Sequence, residues 1–153
     1  MTPGDGEAVF LDTNILVYAQ VRQAPWHQEA RHAIGTREQV GVPLWISRQV
    51  LREYLAALTR PQTWSQPPPL ADLLADVRAF ARRFHVADDT APVTAQLLQI
   101  LARIPVGGRQ VHDANIVATM LTQGVSRLLT HNTVDFTRFE TLITVLPLLP
   151  PTP

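Results

Sequence analysis

Residues 8–21 read AVFLDTNILVYAQV, a short apolar run followed by a helical pattern. Ala8–Asp12 is a short apolar run that ends in polar residues, which is typical of a buried strand. Asn14–Val21 follows with a helical pattern. A buried strand that leads directly into a helix predicts an α/β protein.

The alternation of strands and helices continues along the chain. Further helices are predicted over Trp26–Arg37, Arg48–Arg60, Leu70–Phe84, Thr90–Ile104 and Asp113–Gln123, with Ser47 as the N-cap of the second of these. Further strands are predicted over Leu44–Ile46, Phe84–Ala87, Arg127–Thr130 and Ile143–Leu146. This order predicts an α/β sandwich around a mostly parallel sheet.

Prolines mark two segments that are expected to lie outside the helices and strands. Pro61–Pro69 is predicted to be an extended loop between two helices. Four of the 13 prolines fall within Pro147–Pro153, which predicts a disordered tail. We therefore expect one domain over residues 1–146 and a Pro-rich tail over residues 147–153.

Composition excludes several classes of protein. The 153 residues are 46% hydrophobic and 17% charged, which is enough apolar material for a core. Cysteine is absent, so disulfide scaffolds, thiolate metal sites and cysteine nucleophiles are excluded. No apolar run is long enough for a membrane span, and the first residues do not resemble a signal peptide, so a cytoplasmic location with no membrane partner is expected.

Net charge bears on the partners of the protein. Thirteen basic residues, all of them Arg, balance 13 acidic ones. A formal charge of zero argues against a strongly basic protein that wraps nucleic acid, but it permits a local phosphate-binding patch of Arg. A neutral surface also favours self-association.

Several carboxylates stand at positions where ligand sites form in α/β proteins. Asp12 ends the first predicted strand, and Asn132 and Asp135 follow the strand Arg127–Thr130. Asp113 begins the last long helix on its apolar face, so its side chain should point inward. Because ligands gather at the carboxyl ends of parallel strands, these groups are expected to meet in one crevice.

Each of these residues also has a purely structural interpretation. Asp12 can cap the helix that follows it, and Asp113 can be a favourable charge at a helix N-terminus. Asn132 and Asp135 can be turn residues that bond their own backbone. Glu53 lies away from the apolar stripe of its helix, which by itself indicates a solvent-facing side chain.

Four segments, in this order, resemble the PIN domain ribonucleases, and among them the VapC toxins of bacterial toxin–antitoxin pairs. They are VFLDTNILVY (residues 9–18), SRQVLREY (residues 47–54), VHDANIVA (residues 111–118) and LTHNTVDF (residues 129–136). The resemblance spans nearly the whole chain. It implies a three-layer α/β/α sandwich.

The resemblance also implies a set of site residues. Asp12 and Asp113 match the principal metal ligands, and Glu53 matches a third carboxylate. Asn132 stands where the family often has Asp, and Asp135 is expected to supply the missing charge. The implied catalytic residues are therefore Asp12, Glu53, Asp113 and Asp135, with Asn14, Thr130 and Asn132 as supporting residues. Oxygen donors without cysteine favour Mg²⁺, with Mn²⁺ as a substitute.

The function implied by the resemblance is metal-dependent hydrolysis of RNA by an endoribonuclease. Such a toxin would be a homodimer that a cognate VapB-like antitoxin keeps inactive, and Trp26, Trp45 and Trp64 are candidates for the apolar surface that the antitoxin covers. Arg48, Arg52 and Arg109 are candidates for contacts with RNA, because they lie closest in sequence to the motif residues.

Two alternatives remain at this stage. Asn132 favours a PIN-fold module that binds RNA or protein without cleaving it. Asp12 within Asp-Thr-Asn also resembles the nucleophile of an Asp-x-Asp phosphotransferase. That second alternative is weak, because Asn14 replaces the second Asp and the chain has no lysine.

Overall fold

A computed structural model describes residues 7–151 of the chain. Its centre is a sheet of five strands, all parallel, in the order β3-β2-β1-β4-β5. The strands are β1 (Val9–Leu11), β2 (Leu44–Ser47), β3 (His85–Ala87), β4 (Arg127–Thr130) and β5 (Thr144–Pro147). In register, Val9 of the central strand lies between Leu44 and Arg127.

Seven α-helices connect these strands within the described residues. They are α1 (Thr13–Gln20), α2 (His27–Gln39), α3 (Arg48–Leu58), α4 (Leu70–Arg83), α5 (Ala91–Arg103), α6 (Gln110–Gln123) and α7 (Thr133–Phe136). A short 3-10 helix, Thr137–Phe139, follows α7 directly. No helix within residues 7–151 combines the length and the apolar composition that crossing a membrane requires.

The direction of the connections distributes the helices over both faces of the sheet. The chain moves from β1 to β3 in one direction through α1–α4 and returns to β4 through α5 and α6. Because parallel connections are right-handed, opposite directions place their helices on opposite faces. Helix contacts agree, since α1 packs on α2 and α3 whereas α5 packs on α6. The predicted α/β/α sandwich is confirmed.

The hydrophobic core is centred on the two middle strands. Val9–Leu11 of β1 and Leu128 and Leu129 of β4 are at most 1% exposed. Helices cover both faces of the sheet, so these strands are continuously apolar rather than alternating. This packing fixes the positions at which β1 and β4 end, and those two ends carry the candidate site.

Some predicted boundaries differ from the structure. Helix α6 begins at Gln110 rather than Asp113, because a turn at Gly107 and Gly108, with a positive φ of 59° at Gly108, leads directly into it. Asp113 therefore lies inside the first turn of α6. The short helix α7 was not predicted.

The carboxyl-terminal boundary also differs. Pro147 is the last residue of β5, paired with Thr130, and Leu148 is only 8% exposed. The predicted start of the tail at Pro147 is therefore wrong for these two residues. Strand β5 is at the edge of the sheet, where a proline is tolerated. Residues 1–6, 152 and 153 of the predicted domain and tail lie outside the described residues.

Candidate active site

The candidate site lies at the carboxyl ends of β1 and β4, which are neighbours in the sheet. The strand order reverses between them, because the chain builds outward from β1 on one side and then returns to the other. Asp12 follows β1, and its backbone N–H donates to the carbonyl of Leu129 at 3.0 Å. Thr130 ends β4. Such a reversal point is where open α/β sheets bind ligands.

Asp12 is the most buried of the predicted site residues that carry a charge. Its carboxylate accepts hydrogen bonds from the Thr13 N–H (2.8 Å), the Thr130 hydroxyl (2.7 Å) and the Asn14 amide (3.2 Å). Burial raises the pKa of Asp12 to about 6, the charge of Glu53 adds to the rise, and the hydrogen bonds oppose it. Asp12 therefore caps α1 and also lies within the acidic cluster.

Glu53 faces the site rather than solvent. Its two carboxylate oxygens accept hydrogen bonds from the Thr13 hydroxyl (2.8 Å) and the Gln49 amide (3.0 Å). Gln49 also donates to the carbonyl of His112 (2.9 Å) and accepts from Asn115 (2.8 Å), both on α6. This network joins α1, α3 and α6 around Glu53.

Sequence reasoning missed Thr13, Gln49 and Asn115. Gln49 is only 5% exposed, although it is polar. A buried amide needs partners, so its position four residues before Glu53 on one helix face was the signal that could have found it.

Asp113 lies in the first turn of α6 and is half-buried. Burial raises the pKa of Asp113 to about 7. This rise includes smaller contributions from the negative charges of Asp12, Asp135 and Glu53, and the positive charge of Arg138 opposes it. The other three predicted carboxylates are therefore close enough to Asp113 to raise its pKa electrostatically.

Thr130 and Asn14 hold the polar end of β4 against the start of α1. The buried Thr130 hydroxyl donates to Asp12 and accepts from the backbone N–H of Asn132 at 3.0 Å. The Asn14 side chain donates to Thr130 at 3.3 Å and accepts from the His131 N–H at 3.1 Å. These contacts join segments 116–118 residues apart in sequence and fix the orientation of Asp12.

A cavity of about 470 Å³ brings most of these residues together. Its lining includes the four predicted carboxylates and two supporting residues, namely Asp12, Glu53, Asp113, Asp135, Asn14 and Asn132. Asp135 and Asn132 are both exposed at this cavity. The lining also includes Arg60, Gln62 and Trp64, which the sequence analysis did not associate with the carboxylates.

Only one of the three predicted RNA-contacting arginines lies at the cavity. Arg109 is part of its lining. Arg48 instead pairs with Asp88 at 3.0 Å, and Arg52 approaches Asp89 at 3.9 Å. Although Arg48 and Arg52 are close to Glu53 in sequence, their helix directs them toward the segment that follows β3.

The chemistry of the donors fits a hard divalent cation. The cavity offers carboxylate and amide oxygens and no sulfur, and the raised pKa values of Asp12 and Asp113 reflect burial and repulsion that a cation would offset. Among residues 7–151, no three His, Asp or Glu side chains form a group arranged to hold a metal ion. Mg²⁺ commonly uses only one or two protein carboxylates and keeps several waters. The cavity can provide that number of carboxylates.

Comparison of the sequence with protein families identifies the class of the chain. The family model of the PIN domain matches residues 9–142. This match covers most of the 153 residues, and the chain therefore belongs to the PIN domain family. A search of curated protein sequences finds no match.

Solved structures support the same fold. The VapBC2 complex of Rickettsia felis, bound to a promoter DNA fragment, has a chain with a TM-score of 0.66 at 17% identity over 92% of this chain and 98% of its own. DNA-bound VapBC from Salmonella typhimurium gives 0.63 at 21% identity over 93% and 98%. VapC20 of Mycobacterium tuberculosis, described as a toxin that cleaves the Sarcin-Ricin loop, gives 0.60 at 19% identity over 79% and 87%.

Proposed function

We propose that the protein is a metal-dependent endoribonuclease of the VapC type that hydrolyses RNA phosphodiester bonds. The observation that carries this proposal is the convergence of Asp12, Glu53, Asp113 and Asp135 on one cavity at the carboxyl edge of a PIN-domain sheet. These four residues come from separate regions of the chain, so local capping and turn roles do not account for their meeting. The likeness to VapC structures supports the choice of RNA as substrate.

Asp12 and Asp113 are the proposed ligands of Mg²⁺, for which Mn²⁺ would substitute. When bound, such an ion orients a phosphodiester, lowers the pKa of a water and offsets negative charge. Thr130 and Asn14 would hold Asp12 in place through their hydrogen bonds to its carboxylate. Because the pKa values of Asp12 and Asp113 lie near 6 and 7, both carboxylates bind a cation more readily as the pH rises.

Asp135 is the proposed group that orients or deprotonates the attacking water. Both oxygens of Glu53 already accept hydrogen bonds from Thr13 and Gln49, whereas Asp135 is exposed at the cavity. A carboxylate whose oxygens are less engaged by the protein is better suited to hold a water or take its proton. Glu53 would then contribute negative charge and hold α3 against α1.

The proposed partner is a cognate antitoxin similar to VapB. The structural relatives include VapBC complexes from two bacteria. A cationic side chain from such an antitoxin would neutralise the acidic cavity and compete with the metal. We also propose a homodimer in the cytoplasm, which the neutral charge of the chain favours.

Cleavage of total cellular RNA by the purified protein, freed of antitoxin, tests the proposal. The reaction is run with Mg²⁺ or Mn²⁺ and with EDTA, beside Asp113→Asn and Asp88→Asn. Asp88 is the matched control, because its carboxylate is 67% exposed and pairs with Arg48 outside the cavity. We expect discrete fragments that require metal and Asp113 but not Asp88.

Other outcomes would change the proposal in defined ways. Cleavage that persists in Asp113→Asn or in EDTA would contradict the metal site. Intact RNA together with no binding of Mn²⁺ would support the alternative of a binding module without catalysis. Intact RNA with bound Mn²⁺ would mean that the RNA substrate is wrong and that the metal site is correct.

A further inference from the structure

The Pro-rich loop between α3 and α4 has a defined conformation. Within it, the backbone N–H of Gln62 donates to the carbonyl of Ser65 at 2.9 Å, closing a tight turn. The Gln62 side chain donates to the carbonyl of Ala57 at 2.7 Å and attaches the loop to the end of α3. Pro61 and Pro67–Pro69 restrict the backbone on both sides. These contacts hold the backbone of the loop against the end of α3.

Trp64, at the tip of this turn, forms part of the wall of the acidic cavity. It lines the same space as Asp12, Glu53 and Asp113, and it is partly buried against the core. The other two tryptophans, Trp26 and Trp45, do not line this cavity. Tyr18 is another aromatic residue in the lining, but Trp64 has the larger ring and lies on the loop that contributes Gln62 to the same cavity.

Two arginines that have no carboxylate partner among residues 7–151 border the same cavity. Arg60 follows the end of α3, and Arg109 precedes the start of α6. Neither forms a salt bridge within residues 7–151, whereas Arg48, Arg52 and Arg83 do. The Nε of Arg60 donates to the carbonyl of Ala56 at 3.1 Å, which leaves its terminal N–H groups to bind a ligand. Guanidinium groups that form no salt bridge are suited to hold an incoming phosphate, which the carboxylates alone would repel.

We propose that Trp64 stacks on an unpaired nucleobase next to the scissile phosphodiester, while Arg60 and Arg109 bind its phosphates. These three residues would therefore determine how the nucleotide next to the cut is held. A base inside a duplex is covered by its neighbours and cannot present a face to the ring. This inference depends on the proposed ribonuclease function and adds the basis of its substrate selection.

Binding of RNA to a variant that cannot cleave it tests the subsite separately from catalysis. Asp113→Asn is titrated with a labelled single-stranded octaribonucleotide of mixed sequence, with the same length of abasic strand and with a duplex. Trp64→Leu is added to this variant, and Trp45→Leu serves as the matched control, because Trp45 stacks on His85 outside the cavity. Trp64→Phe tests whether an aromatic ring alone is sufficient.

The expected result is a loss of affinity of roughly tenfold in Trp64→Leu, with most of it restored in Trp64→Phe. Trp45→Leu should bind as the parent does, and the abasic strand and the duplex should bind more weakly than the single strand. Trp64 fluorescence, measured in Trp26→Phe/Trp45→Phe on the same background, should be quenched by the single strand and not by the abasic strand. Melting temperatures of all variants show whether a loss of affinity reflects a loss of fold.

Equal affinity of Trp64→Leu and the parent would overturn the inference, as would equal quenching by abasic and normal strands. If the wild-type chain cleaves RNA with the same KM as Trp64→Leu, the subsite is wrong and the ribonuclease remains. If the single strand is bound through Trp64 but the wild-type chain cleaves no RNA, the subsite is correct and the proposed catalytic function is wrong.

Discussion

The parallel strands all end at the carboxyl edge of the sheet and all begin at its amino edge. These two edges differ in chemistry, although the same strands form both. Each edge has a cavity of similar size, about 470 Å³ at the carboxyl edge and about 460 Å³ at the amino edge. The carboxyl-edge cavity is lined by four carboxylates and two arginines. Among residues 7–151, the lining of the amino-edge cavity includes no Asp, Glu or Arg and consists of Ala8, Pro43, Trp45, His85, Gln123, Gly124 and Val125.

This difference indicates that the buried carboxylates at the carboxyl edge lower the stability of the folded chain and are present for a chemical role. At the carboxyl edge, burial raises the pKa values of Asp12 and Asp113, so ionising these groups costs more free energy in the folded chain than in water. Hydrogen bonds from Thr130 and Asn14 offset part of this cost. Perturbed carboxylates gathered in a cavity are typical of a functional site rather than of a structural one.

The largest difference in cleavage rate between substitutions at the two edges should come from removing Asp135, the proposed water-binding group. Asp135→Ala should slow cleavage by about a hundredfold, because general acid–base groups contribute at least that much. His85→Ala at the amino edge should leave the rate unchanged. Single-turnover cleavage assays measure both. An unchanged rate in Asp135→Ala would show that Asp135 is only a turn residue. Glu53 would then be the remaining candidate for orienting or deprotonating the water.

A smaller effect is expected from loosening the support of Asp12. Thr130→Val removes the hydroxyl that donates to Asp12 and should lower cleavage or Mn²⁺ affinity by roughly tenfold or more. Thr122→Val is the matched control, because the Thr122 hydroxyl bonds only the carbonyl of Ala118 within its own helix. Thr130→Ser keeps the hydroxyl and should retain activity. Equal losses in Thr122→Val and Thr130→Val would indicate a general effect on the fold.

The smallest effect concerns stability. The pKa of Asp113 is about 7 in the folded chain and 3.8 in the reference state, so the stability that its protonated form contributes is lost as the pH rises through 7. Asp113→Asn should therefore raise the melting temperature at pH 8 in EDTA, and the gain should shrink toward pH 4. A rise of roughly 2–4 °C would correspond to about 1 kcal/mol. Asp88→Asn should show no rise; an equal rise there would contradict the argument.

Much of the fold could be predicted because local patterns determine it. Strand β4 occurs at its predicted residues, and Ser47 caps α3 through a bond from the Val50 N–H at 3.3 Å. Pro147 was assigned to a tail because proline excludes a central strand, yet it ends an edge strand, where its missing N–H is not needed.

The site was only partly predictable, because several of its contacts join distant residues. The position of Asp12 follows from the end of a strand, which sequence reveals. The inward orientation of Glu53 depends on Thr13, which is 40 residues away, and no periodicity within α3 encodes that contact. Arg60 and Trp64 lie at the end of a helix and in a loop, where sequence patterns do not specify direction.

Titration of the purified chain with Mn²⁺ at pH 8, followed by its melting temperature, shows whether the carboxylates at the carboxyl edge bind a metal ion. We expect a saturable rise in the wild type and in Asp88→Asn, since a ligand that binds only the folded state stabilises it by about 2.7 kcal/mol at a hundredfold excess over Kd. Asp12→Asn should show little or no rise. No shift in the wild type, or an equal shift in Asp12→Asn, would contradict a metal site at the carboxyl edge.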